Sequence, residues 1–218
     1  MCGVAAFQLT NVTQDDLNLV RRVLIETQIR GRHASGISWY NGSGAVHCIR
    51  DSVPMDELIS NVDLGELTYD GNLSLIAHCR YSTSDLEFNQ PLGDDAFMMA
   101  HNGVITQLPP ETWEETYGHP FTTRNDSEIL LHEMAKNGSD SDTCSSLIGA
   151  SISVVRVSNT GDVSGYTNGL RPLWITDHVH GTIYTSTRDI MSRASDNRLE
   201  PTKATIVDGF DNLQNRHT

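Results

Sequence analysis

A chain of 218 residues with 38% hydrophobic content can bury one sizeable core, and it reads as a single domain over residues 1–218. Its 28 acidic and 15 basic residues give a net charge of −13, which opposes attraction to nucleic-acid phosphates and anionic lipid. No stretch approaches the roughly 20 apolar residues of a membrane span, and the chain does not open on a basic segment with a long apolar run. The expectation is a cytoplasmic protein without a membrane partner or direct nucleic-acid binding.

Residues 3–9 form an apolar run that reads as a buried strand. Thr13-x-x-Asp16 then opens a helix, with Leu17, Val20 and Leu24 on one face and Arg21, Arg22 and Glu26 elsewhere. Residues 30–36 are too glycine-rich to extend that helix and read as a loop into a strand over 37–40. The turn Asn41-Gly42-Ser43-Gly44 folds residues 45–49 back as a hairpin. A short helix over 54–59 and strands over 73–78 and 97–101 follow. The most strongly patterned helix spans 126–136, with Asn125 or Asp126 as its cap and Gly138 just past its end. The last third alternates as strands over 151–157, 163–166, 173–176 and 182–187. Recurrent hairpins and interleaved helices predict an α+β layered domain with largely antiparallel sheets.

Cys2 stands out. A methionine before so small a side chain is routinely trimmed, which leaves a thiol and a free α-amine on one residue. These groups ordinarily titrate near ~8.5 and ~7.7–8.0, so one residue can supply both nucleophile and base for acyl transfer. The remaining cysteines, Cys48, Cys79 and Cys144, form no C-x-x-C pair with it or each other. Neither zinc nor a disulfide framework is indicated, and all four are expected to be reduced thiols.

Polar loops follow successive strands or helices: Arg30 to Gly36, His78-Cys79-Arg80-Tyr81-Ser82-Thr83, His101-Asn102-Gly103 and Thr123-Arg124-Asn125-Asp126-Ser127-Glu128. With Cys2, Asn89-Gln90-Pro91 and Gly169-Leu170-Arg171-Pro172-Leu173, the ordered set resembles the class II glutamine amidotransferase domain of the N-terminal-nucleophile hydrolases. The resemblance covers most of the chain. It implies a four-layer α/β/β/α sandwich of two largely antiparallel sheets.

Glutamine is a zwitterion with an amide at its far end, so its site needs a cation, an anion and oxyanion donors. Arg80 has the planar fork suited to the α-carboxylate, and the resemblance assigns it that role. It likewise implies that Asp126 meets the α-amine and that Asn102 and Gly103 form the oxyanion hole, with Cys2 as nucleophile. Tyr81 and Thr83 would line the substrate pocket and Arg30 would support the terminal residue. Bland alternatives exist: Asp126 as a simple helix cap, and Asn102-Gly103 as a hairpin turn. His33, His78 and His101 end strands or loops and read as hydrogen-bonded structural residues. His178-x-His180 reads as a solvated turn over 177–181 without a third metal ligand. No cofactor or metal is expected.

Two departures from the family pattern bear on the pocket wall. Glycines usual in the family are replaced at Ala77 and near Asp85, and its Asn-x-Gln-Pro appears without the intervening residue. The implied activity is hydrolysis of glutamine to glutamate and ammonia through a Cys2 thioester. Because the chain stops where such a glutaminase domain ends, the ammonia is expected to pass to a separate synthase protein in trans. The rival expectations are an N-terminal-nucleophile amidase acting on another amide and a non-catalytic regulatory subunit.

Overall fold

A computed structural model describes residues 2–82, 89–137, 143 and 146–204. Its strands in chain order are β1 (Gly3–Leu9), β2 (Ala34–Tyr40), β3 (Val46–Asp51), β4 (Leu73–Arg80), β5 (Leu92–Gly93) and β6 (Phe97–His101). They continue with β7 (Ser153–Ser158), β8 (Val163–Thr167), β9 (Trp174–His178), β10 (Gly181–Thr185) and β11 (Thr202–Lys203). The helices are α1 (Gln14–Thr27), α2 (Met55–Leu58), α3 (Trp113–Tyr117), α4 (Ser127–Asn137) and α5 (Arg188–Ala194).

Two antiparallel sheets result, one ordered β11-β9-β10-β1-β4-β2-β3 and the other β5-β6-β7-β8. The first strand of the chain thus lies in the middle of the larger sheet, paired with β10 on one side and β4 on the other. Burial on both faces explains its apolar run, which only Gln8 interrupts.

Alternation along β1 and β4 divides the core. Ala5, Phe7, Leu9, Leu75 and Ala77 face α1, α2 and α5, meeting Val20, Val23, Leu24, Met55 and Ile190. Val4, Ala6 and Ile76 face the second sheet and meet Met98, Ala100, Val155 and Val157. The outer side of that sheet packs Met99, Ile152 and Val154 against Trp113, Ile129, Leu130 and Met134. Helices therefore cover the outsides of two stacked sheets, which is the expected α/β/β/α order.

The predicted capping box forms: Thr13 Oγ1 accepts from the Asp16 amide while Asp16 Oδ2 accepts from the Thr13 amide. Some boundaries move. The loop predicted over 30–36 is shorter, because Gln28–Arg30 forms a 3₁₀ turn and β2 begins at Ala34. Ala34, Ser35 and Gly36 pair with Arg80, Cys79 and His78, so partner-strand hydrogen bonds override the local glycine signal. For the same reason β4 extends to Arg80. Helix α5 has no sequence-level counterpart: its buried Ile190, Met191 and Ala194 are too few to set a period. Gly138 and Cys144 lie outside the described residues. No helix among the described residues is long and apolar enough to cross a membrane.

Candidate active site

Half-buried Cys2 leads directly into β1, and Gly3 pairs with Cys79 near the end of β4. A Cβ on Gly3 would stand 2.5 Å from the Thr27 carbonyl oxygen and 3.0 Å from Arg30 Cβ. The missing side chain is what lets this end of β1 lie against the 3₁₀ turn carrying Arg30. On the far side of β4, Arg80 pairs with Ala34 and its carbonyl accepts from the His33 amide at 3.1 Å. Sheet pairing thereby gathers Cys2, Arg30 and Arg80 at one end of the larger sheet. The Arg80 guanidinium donates through Nη1 to Asn89 Oδ1 at 2.9 Å.

Tyr81 is half-exposed, its ring centroid 4.9 Å from that of His33. His33 Nδ1 accepts from the Ser82 amide, so His33 orders this loop as a structural residue. Tyr81, Arg30, Arg32, His33 and Arg193 border a cleft of about 570 Å³. Thr83, expected in the pocket, lies outside the described residues.

The second sheet brings up the other half. Strand β6 ends at His101, and the pairing runs on: the Asn102 amide donates to the Ser153 carbonyl at 2.8 Å, and Val104 bridges Ser151. Asn102-Gly103 is therefore a continuation of the strand edge and not a hairpin turn. A Cβ on Gly103 would stand 1.8 Å from the Ser151 carbonyl oxygen, so the edge closes only over glycine. Asn102 is 2% exposed, yet its Nδ2 has no hydrogen-bond partner among the described residues. A buried amide donor left unpaired costs about 1–3 kcal/mol, which calls for a reason.

The halves meet between the sheets. His78, opposite Val4 on β4, is buried and pushed down to about 3, chiefly by burial, with Arg80 and His101 adding to the shift. Among the described residues neither ring nitrogen meets a partner at full hydrogen-bond geometry, while a contact with the His101 backbone partly offsets the shift, so the expectation of a hydrogen-bonded histidine is met only weakly at His78. It holds at His101, whose Nδ1 lies 2.9 Å from Ser127 Oγ and whose Nε2 lies 3.2 Å from the Ser151 carbonyl oxygen.

Asn125 caps α4, its Oδ1 accepting from the Ser127 amide at 3.1 Å. Asp126 instead turns its carboxylate back, and Oδ2 accepts from the Ile105 amide at 2.6 Å. The simple-cap alternative for Asp126 is thus displaced by a contact with the segment that follows Asn102-Gly103. Next along the helix, Glu128 accepts from the amides and hydroxyls of Thr122 and Thr123. Burial alone would raise Glu128, but these four bonds outweigh it and hold the carboxyl below its ordinary range.

The thiols differ sharply. Cys79 is fully buried and its thiol is pushed up to about 12 by burial, making it unreactive. Burial also raises Cys48.

The turn at 177–181 is not simply solvated. Asp16, 162 or more residues away in sequence, places Oδ2 2.7 Å from His180 Nδ1 and Oδ1 3.5 Å from His178 Nε2. These three donor groups lie within 4.8 Å of one another. The His180 amide also donates to His178 Nδ1 at 3.3 Å. Asp16 therefore supplies the third potential ligand group that the sequence reading lacked, and its hydrogen bond to His180 clasps α1 to the β9–β10 turn.

No protein-family model matches the chain, and no curated protein matches it. Solved structures do. Over 94% of this chain, the glutamine phosphoribosylpyrophosphate amidotransferase from B. subtilis superposes with a TM-score of 0.72 at 19% identity. A structure titled as the allosteric regulatory enzyme of purine biosynthesis gives 0.72 at 20%. The chain spans under half of each, 46% and 45%. A glutamine aminotransferase class-II domain protein from Silicibacter pomeroyi matches at TM-score 0.56 and 12% identity, over 94% of this chain and 92% of its own. At such identities the common property is architecture: this chain has the fold of the class II glutamine amidotransferase structures.

Proposed function

We propose that this protein hydrolyses glutamine to glutamate and ammonia, with Cys2 as nucleophile. The observation that carries the reading is Asn102 Nδ2, a buried donor with no partner among the described residues, next to the backbone of Gly103. An oxyanion hole requires donors held ready for charge that appears only in the transition state, and an unpaired amide in a water-poor site meets that need. Arg80, with its fork anchored by Asn89, supports recognition of the α-carboxylate, and Asp126 supports recognition of the α-amine.

Once Met1 is removed, the α-amine of Cys2 takes the thiol proton as sulfur attacks the side-chain amide carbon of glutamine. The tetrahedral oxyanion is held by Asn102 Nδ2 and the Gly103 amide. As the C–N bond breaks, the α-ammonium returns the proton to the leaving nitrogen and ammonia departs. Water, deprotonated by the same amine, then attacks the γ-glutamyl thioester, releasing glutamate and restoring the thiol. The ammonia is delivered to a synthase activity that aminates or amidates an acceptor. Arg30 supports the terminal residue, and Tyr81 and Thr83 are assigned to substrate binding.

The test is mass spectrometry after treatment with an electrophilic glutamine analogue, alongside an ammonia-release assay. One adduct, on Cys2 of a chain lacking Met1, is the expected result. A processed chain that takes no adduct but cleaves simple amides points to another amidase; retained Met1 with neither adduct nor ammonia points to a regulatory subunit.

A further inference from the structure

Asn89 and Gln90 take no direct part in this chemistry, yet they are 8% and 4% exposed and hydrogen-bonded to Arg80 and to the residues flanking Asn102 and Asp126. Asn89 Oδ1 accepts from Arg80 Nη1 at 2.9 Å while its Nδ2 donates to Ser52 Oγ at 3.3 Å. Gln90 Oε1 accepts from the His101 amide at 2.6 Å, and Gln90 Nε2 donates to Ser127 Oγ at 3.1 Å. His101 immediately precedes Asn102, and Ser127 immediately follows Asp126.

The proton positions in this cluster follow from its acceptors. The Ser151 carbonyl can only accept, so His101 Nε2 carries the hydrogen, and burial favours the neutral ring. His101 Nδ1 is then an acceptor, which takes the Ser127 hydroxyl hydrogen. Ser127 Oγ is left with lone pairs for Gln90 Nε2. The amide orientation of Gln90 is set as well, because the His101 backbone N–H requires oxygen. Each polar atom of the Gln90–Ser127–His101 triangle has one role, a condition that rigidifies a buried network.

We propose that Asn89 and Gln90 are positioning residues that tie three substrate contacts into one rigid unit. Asn89 aims the Arg80 fork, and Gln90 locks the Asn102-Gly103 edge to the start of α4, where Asp126 sits. As one dipeptide the two reach both sheets, since Arg80 ends β4 of the larger sheet and His101 ends β6 of the smaller. The assignment rests on the glutaminase reading and deepens it.

Steady-state kinetics on intact, processed protein tests it, with the thermal midpoint measured in parallel. Asn89→Ala should raise KM for glutamine about tenfold or more, as expected for one hydrogen bond to a charged group, with kcat little changed. Asn89→Asp keeps the acceptor and should return KM toward wild type. Gln90→Met, and the smaller change Ser127→Ala should Met unfold the chain, should lower kcat and raise KM together. A purely structural role predicts lowered midpoints with both constants unchanged in the folded fraction, and that result overturns the proposal. So does an Asn89→Asp variant no better than Asn89→Ala. If wild-type protein releases no ammonia from glutamine, the function itself fails and these roles fall with it. Active wild type with unaltered variants removes only the positioning roles.

Discussion

Replacing Asn102 by alanine should move activity and stability in opposite directions. Asn102 is 2% exposed and its Nδ2 is unpaired among the described residues, so deleting the side-chain amide relieves a desolvation cost of about 1–3 kcal/mol. The amide leaves a void of roughly 45 Å³, which at about 24 cal/mol per Å³ costs about 1 kcal/mol. The net change is a gain between about 0 and 2 kcal/mol, equivalent to a midpoint rise of about 0–8 °C for a domain of this size. Loss of one oxyanion donor should meanwhile lower kcat about 10²- to 10³-fold. Calorimetry and a coupled glutamate assay on the same preparation measure both. A midpoint lowered by more than about 4 °C with kcat near wild type would refute the reasoning, since it would make Asn102 a structural tie with no waiting partner.

Cys2→Ala should abolish glutamine hydrolysis and leave the midpoint nearly unchanged, because the residue is half-buried at the head of β1; appreciable residual turnover rejects the nucleophile. Arg80→Lys keeps the charge but loses the planar fork and its bond to Asn89, so KM for glutamine should rise with little change in kcat; an unaltered KM removes Arg80 from the carboxylate contact. Glu128→Gln should destabilise the protein by about 1–3 kcal/mol at neutral pH, where four donors from Thr122 and Thr123 favour the ionised form. Because the folded carboxyl lies below its ordinary value, its contribution is present above the unfolded pKa of about 4.3 and is lost as pH falls through the folded value. Urea melts at pH 7 and pH 3 should therefore show a difference that closes on acidification, and a difference independent of pH contradicts the assignment.

Much of the molecule is written locally. The apolar run of β1, the Thr13–Asp16 capping box and the period of α4 arise from neighbouring residues, whose burial and hydrogen bonds repeat at 2 or 3.6. The order of the polar motifs carried the class II amidotransferase resemblance, and so the layer order. Other features depended on pairing between distant segments. Whether Asn102-Gly103 turns or extends was decided by Ser151 and Ser153 on the neighbouring strand, and which residue caps α4 by the pull of the Ile105 amide on Asp126. Asn89 and Gln90 stood in the sequence as part of a motif with no partners named, and Asp16 as a cap with no link to His178 and His180. The sequence by itself determined the elements and the residue types available for chemistry, because propensity, capping and periodic burial act over a few residues. Only the tertiary structure decided which side chains meet, because β1 enters the centre of a sheet whose neighbours, β4 and β10, come from far along the chain, and hydrogen bonds across such joins have no local signature.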